Sequence, residues 1–275
     1  MRIYYLNSIG KRIDLDRYPC KMLADMELFN YEWDYSTQNI NQNKVRKFYK
    51  KLSEKEFQIA IVGGNSKDHA AVKEELLKTF DYDVASQTAG RLYIGEYFIE
   101  CFIIKSQKYD WNRKVSHLEC SILCENPVWR KEEKYSFGGA TNPAYSTDGL
   151  EYPYDFTYDF AGLGESCFIS NEGYTGADFE FVIYGACENP VISIGFQTYA
   201  VYTTLETGEY IIINSVMKKI YKVKNNGERV NLFHLRDKTF DIFKKIPPGI
   251  STAAWSGAFG FDLTLYIERS EPPWI

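Results

Sequence analysis

The sequence is short of the residues that carry chemistry and of any excess of one charge. It has only three histidines, His69, His117 and His234, and they stand in unrelated contexts. Neither a G-x-S-x-G elbow nor an H-E-x-x-H pair occurs, so an activated serine and a zinc hydrolase both lack their parts. The formal net charge is −5 and the basic residues are scattered, so no stripe announces a phosphate-backbone partner. No stretch approaches the roughly 20 apolar residues that span a bilayer. "MRIYYLNSIGKRIDLD" also lacks the apolar core of a signal peptide. These absences lead us to expect a soluble chain made in the cytoplasm, with no membrane partner.

The six cysteines lie mostly inside apolar runs such as "YFIECFII" and "SCFI", and read as buried small hydrophobes rather than disulfide partners. The one local cluster is His117, Cys120 and Cys124 in "KVSHLECSILC". That segment alternates like a strand, which puts both thiols on one face and the imidazole on the other. No second C-x-x-C pair completes a tetrahedral site, so no metal and no cofactor is expected.

What is present is β-forming. Aromatics reach 16%, with 22 Tyr and 18 Phe, and half-buried pleated surfaces accommodate such rings well. At 275 residues the chain has room for two domains of ordinary size. The first 40 residues read as short segments with a turn at Asn7 to Gly10. "NKVRKFYKKL" places Val45, Phe48, Tyr49 and Leu52 at helical spacing and predicts a short amphipathic helix with a cationic outer face. "FQIAIVG" then reads as a strand, and a second helix begins near Ser66 with Ala70, Val72, Leu76, Leu77 and Phe80 as its apolar stripe.

From there to residue 137 the texture is β, with long paired strands at 97–111 and 114–124 around a turn at Asn112-Arg113. Residues 138–150, "GGATNPAYSTDGL", keep no hydrophobic period and predict a linker between a domain at 1–137 and a second at 151–275. The second reads as a sandwich, with turn signals near 171, 187, 206, 225 and 247. Its last strand alternates cleanly, with Phe259, Phe261, Leu263, Leu265 and Ile267 on the core side.

Two chemical readings fail on spacing. "VGGNSKDH" follows a strand and opens a helix, but it has neither the Walker spacing nor the three glycines of a dinucleotide fingerprint. Ser66 or Asn65 is read there as a simple cap. In "YPYDFTYDF", Asp155 and Asp159 lie four apart on a strand, about 13 Å, beyond the reach of a glycosidase pair. No catalytic residue is assigned.

The run "FDYDVASQTAGRLYIGEYFIECFII" at 80–104 resembles the distal tail proteins of long-tailed bacteriophages and prophages of Gram-positive hosts. Asp83-Val84 at a helix end, then Gly90-Arg91-Leu92, Gly95, Tyr97 and Cys101, follow that family's order. The opening "IYYLNSIGKRIDL" is similar to that family's start, and the later "GEYIIINSVMKKIYKVKNNGERVNLF" also resembles the family, so the resemblance covers most of the chain. It implies a mainly β fold with a small α component. An N-terminal β domain with helices and a protruding belt hairpin would close six copies into a ring, and a galectin-like β-sandwich would follow.

The function implied is a hub joining the tail tube to receptor-binding or other tail-tip proteins, with DNA only passing through the lumen. The chain would be made and assembled in the host cytoplasm and sit at the virion tail tip. Tyr97, Phe98, Tyr109 and Trp111 are the candidate subunit-interface anchors, since rings at interface centres carry much of the binding energy. At 275 residues no inserted carbohydrate module fits, which favours an adaptor. The alternative is a lectin-like module that binds host glycans through Trp255 or Tyr199.

Overall fold

A computed structural model describes residues 2–23, 27–37, 44–63, 66–108, 115–139 and 167–273. By compactness the chain divides into one unit of Met1–Lys131 with Glu268–Ile275 and a second of Glu132–Ile267. Of the expected linker at 138–150, only residues 138 and 139 are among those described.

The first unit runs β1 (Ile3–Leu6), β2 (Arg12–Asp14), β3 (Asp16–Arg17), β4 (Cys20–Met22), β5 (Asp34–Thr37), β6 (Val45–Tyr49), β7 (Ser53–Val62), α1 (Ser66–Ser86), β8 (Gly90–Ile94), β9 (Tyr97–Lys108) and β10 (Val115–Cys124). Asn7 and Gly10 close the turn between β1 and β2 as expected: the Asn7 carbonyl accepts from Gly10 N at 2.9 Å, and Gly10 takes φ 83°. Antiparallel pairing links β2 to β1, β1 to β8 and β8 to β9, and the order β9-β10-β7-β4-β3 continues beyond. In β10 the residues Leu118, Cys120, Ile122 and Cys124 face inward, as the alternation predicted. They join Phe57, Ile59, Ile61 and Trp129 in one apolar core.

The helix that covers this core is less apolar than its expected stripe. Leu76 and Phe80 are buried, but Ala70 is exposed, and the rest of the inner face carries His69, Thr79 and Asp83. Thr79 is satisfied within the helix, donating to the Glu75 carbonyl at 2.7 Å. The predicted helix at "NKVRKFYKKL" is not formed. Residues 45–49 are strand β6, paired with β5 in the register Asp34↔Tyr49, Tyr35↔Phe48 and Ser36↔Lys47. A run this short has no helical stability of its own, and Val, Phe and Tyr accept a strand once a partner strand is beside them.

In the second unit β11 (Trp129–Phe137) enters from the first. There follow β12 (Cys167–Asn171), β13 (Asp178–Tyr184), β14 (Cys187–Glu188), β15 (Val191–Ile194), β16 (Gln197–Ala200), β17 (Thr204–Leu205), β18 (Tyr210–Asn214), β19 (Lys219–Val223), β20 (Arg229–Asn231), β21 (Gly249–Trp255) and β22 (Phe261–Arg269). One sheet has the order β20-β19-β18-β13-β22-β11 and the other β12-β21-β15-β16. Their inner faces meet in a core that includes Phe179, Phe181, Tyr199, Phe261, Leu263 and Leu265. This is the β-sandwich the turn spacing implied, and β22 buries Phe261, Leu263, Leu265 and Ile267 as its alternation predicted.

Candidate protein–protein interfaces

The motif residues at 80–104 are brought together with the opening strand at the end of α1. Thr88 N donates to the Asp83 carbonyl at 3.1 Å and Gln87 N to the Val84 carbonyl at 3.2 Å, with Gln87 at φ 52°. That is the pairing of a Schellman stop, in which the last helical carbonyls find amide partners beyond the helix. The Asp83 carboxylate is fully buried where the helix dipole disfavours a negative charge. It is held there by three donors: Tyr5 Oη at 2.6 Å, Ser8 Oγ at 2.6 Å and Ser8 N at 2.9 Å.

Gly90 lies against the same knot and opposite Cys101 in the β8–β9 register. A Cβ there would collide with the Tyr5 hydroxyl and the Asp83 carboxylate, so only glycine fits. Burial first, then the neighbouring Cys101 and Asp83, push the Tyr5 hydroxyl far above its ordinary range, so it remains a donor. The spaced Asp, Gly and Cys of the motif are therefore a structural joint between helix, β1 and β8–β9, with no reactive group turned to solvent.

Of the candidate anchors, Tyr97 and Phe98 open β9, while Tyr109 and Trp111 lie outside the described residues. Tyr97 is half-buried against the core of its own unit, with the Arg269 guanidinium 5.7 Å from its ring. Phe98 is 1% exposed. Its ring lies 5.2 Å from Tyr93, which stacks on Tyr4 at 4.4 Å, and the Arg91 guanidinium sits 4.4 Å above it. Beside it Arg130 is nearly buried and binds Glu100 and Glu268, each at 3.0 Å.

The larger set of outward rings is on β5, on β6 and on the segment leading into β5; the two strands pair only with each other among the described residues. Tyr31, Trp33 and Tyr35 alternate with Glu32, Asp34 and Ser36, and Tyr35 faces Phe48 across the hairpin. Tyr35 and Phe48 are each 60% exposed, and Trp33 and Leu52 are exposed too. The other side of the hairpin carries Asp34, Ser36, Lys47 and Tyr49, with Lys51 bound to Asp34 at 2.8 Å. Reading "NKVRKFYKKL" as a helix hid this surface. The period-2 alternation of Tyr31, Trp33 and Tyr35 was the signal that could have found it.

Lysines secure the root of the hairpin. Lys50 donates to the Pro127 carbonyl at 3.2 Å and lies 5.0 Å from the Trp33 ring and 5.5 Å from that of Tyr31. Burial, and secondarily Lys55, lower its pKa to about 8. Lys55 is buried and donates to the carbonyls of Leu28 and Asn30. Both border a depression of about 500 Å³ that Glu27, Tyr31 and Glu54 also line.

Among the described residues no group of three His, Cys, Asp or Glu could hold a metal, and no helix is long and apolar enough to cross a membrane. Asp155 and Asp159 lie outside the described residues. Trp255 and Tyr199, the rings named for sugar stacking, are buried: Trp255 Nε1 donates to the Phe259 carbonyl at 3.0 Å and Tyr199 Oη to that of Lys244 at 2.8 Å. They face inward because each sits at a core parity of its strand, Ile192↔Tyr199 and Ile192↔Trp255.

The chain is similar in fold to the Dit protein of phage SPP1, described as a paradigm of the hub adsorption apparatus in Gram-positive infecting phages. That match has a TM-score of 0.55 at 10% identity and covers 97% of this chain and 99% of that one. It is also similar to chains of the phage P2 baseplate in its activated conformation with Ca and with Sr. Both have a TM-score of 0.60, at 11% and 13% identity, and each match covers 99% of this chain and all of that one. No family model and no curated protein matches the sequence.

Proposed function

We propose that the chain is a structural, non-catalytic hub of a phage tail tip. Six copies close a ring that joins the tail tube to receptor-binding or other tail-tip proteins, and DNA passes through the lumen without being a ligand. The observation that carries this reading is the fold likeness to hub and baseplate chains along nearly the whole length of both proteins. A second observation supports it: an aromatic-faced hairpin with no covering layer among the described residues is a surface that another chain can cover.

In this reading the ring is closed by head-to-tail contacts, which are self-limiting only when their rotation closes. The contacts come from the hairpin rings Trp33, Tyr35 and Phe48 and from Tyr97, Tyr109 and Trp111. Phe98, already covered, serves to hold Arg91 and Tyr93 in place. Negative-stain electron microscopy of the concentrated protein tests the proposal. Six-fold rings with a central hole are expected; a monomer at every concentration, even with a tail-tube protein added, would defeat it.

A further inference from the structure

The two outer faces of the second unit's sandwich differ in charge. On the β13–β22 side, Asp178, Glu180 and Asp262 point outward. On the β12-β21-β15-β16 sheet, no outward position among the described residues carries a charged or amide side chain. Sheet faces that meet water ordinarily carry charge, whereas the cores of protein interfaces are depleted of it.

The relief of this uncharged face is uneven. Phe168 is 70% exposed and Ile250 76% exposed, and Val191 is also outward and exposed. Phe168 lies opposite Thr252 on β21, and Gly195 N donates to the Thr252 carbonyl from the other side at 2.9 Å. Phe196, next in the β15–β16 turn, is fully exposed. Phe168 thus lies about 5 Å from Thr252 across the strands and Ile250 about 7 Å from it along β21, with Phe196 beyond Gly195 on the far side. Between and beside them the floor is low, made of Ser170, Ser193 and Ala254.

We infer that this face is a contact between two copies of the chain, related by a two-fold axis. Three properties select a second copy as the occupant. The chain is net negative at −5, so two copies repel except where neither presents charge, and this face meets that condition while the carboxylates of the opposite face do not. Raised rings and a low hydroxyl floor occur on the same surface, so a half-turn sets the knobs of one copy over the flats of the other, as an isologous contact requires. The area is sufficient: the four apolar side chains expose roughly 500 Å² per copy before the floor is counted, and two copies reach about 1,200 Å², the lower edge of stable interfaces. The contact is pairwise and independent of the proposed ring.

Sedimentation velocity of the full chain over a wide concentration range tests it. The expected result is reversible pairing, of monomers or of rings. Phe168→Asp and Ile250→Asp should each weaken it at least tenfold, because a carboxylate would be buried without a partner. Both sites face solvent in the single chain, so the melting temperature should not move, and Phe48→Ser on the hairpin should leave pairing intact. The inference is overturned if the wild type does not pair, or if pairing is indifferent to both face substitutions. Loss of rings with pairing retained would count against the hub reading alone.

Discussion

The same ring types do opposite work in the two units. In the sandwich, Phe137 and Phe261 lie 4.5 Å apart and Phe179 and Tyr199 5.0 Å apart, all inside one core. On the β5–β6 hairpin, Trp33, Tyr35 and Phe48 stand in solvent. Both sets alternate at period 2, as in "FEFVIY" and "YEWDYS", so local pattern does not separate them. What separates them is a second layer: the strand with Phe179 and Phe181 packs against an opposing sheet, while the hairpin has none among the described residues. Rings under a layer hold the fold, and rings without one are available to another chain.

The largest effect expected from this contrast is on stability. Phe181→Ala should lower unfolding free energy by about 3 to 5 kcal/mol, the range for a buried aromatic truncated to alanine. Trp33→Ser should stay within about 0.5 kcal/mol, as exposed substitutions do. Paired denaturant titrations decide it, and a hairpin loss as large as the core loss would erase the distinction.

Next in size is the buried joint at the helix end. Asp83→Ala strands the Tyr5 hydroxyl and two Ser8 donors and should cost about 3 kcal/mol, while Asp83→Asn keeps an acceptor and should cost less. Equal losses in thermal melts of the two variants would show that the hydrogen bonds are not what holds the joint.

Thiol reactivity gives a third, kinetic comparison. Burial raises Cys20 to about 11 and Cys120 and Cys124 to about 12, so these should stay unreactive toward a thiol reagent at neutral pH until the chain unfolds. Cys167 and Cys187 are half-buried and should react first. Early modification of Cys120 would mean that the first unit's core opens readily.

The smallest effect is a pH dependence at the hairpin root. A lysine whose folded pKa lies below its unfolded one binds fewer protons when folded, so folding is penalised below the folded value. The penalty is lifted as pH rises from about 8 toward the ordinary 10.5. Wild type should therefore gain stability relative to Lys50→Met across that window. A constant difference would mean that Lys50 is better solvated than its burial implies.

Much of the fold was legible because burial follows alternation where a strand is long: β22 and β10 face as read, and α1 begins at Ser66. The failures share one cause, the absence of tertiary partners from a local pattern. Residues 45–49 have helical spacing but residue types that a strand accepts, and only pairing with 34–37 decides. Trp255 and Tyr199 read as outward rings until the strand register fixes their parity. The motif at 83–101 was visible as spacing, but its role as a hydrogen-bonded joint needed Tyr5 and Ser8, more than seventy residues away in sequence.

The central claim, that the uncovered hairpin rings serve other copies of the chain, is tested most directly by one measurement on wild type and Trp33→Ser/Phe48→Ser: solution mass with thermal melting on the same sample. The account predicts a six-copy mass for the wild type that falls in the variant at an unchanged melting temperature. A variant that keeps its full assembly mass, or that loses it only together with its fold, would contradict it.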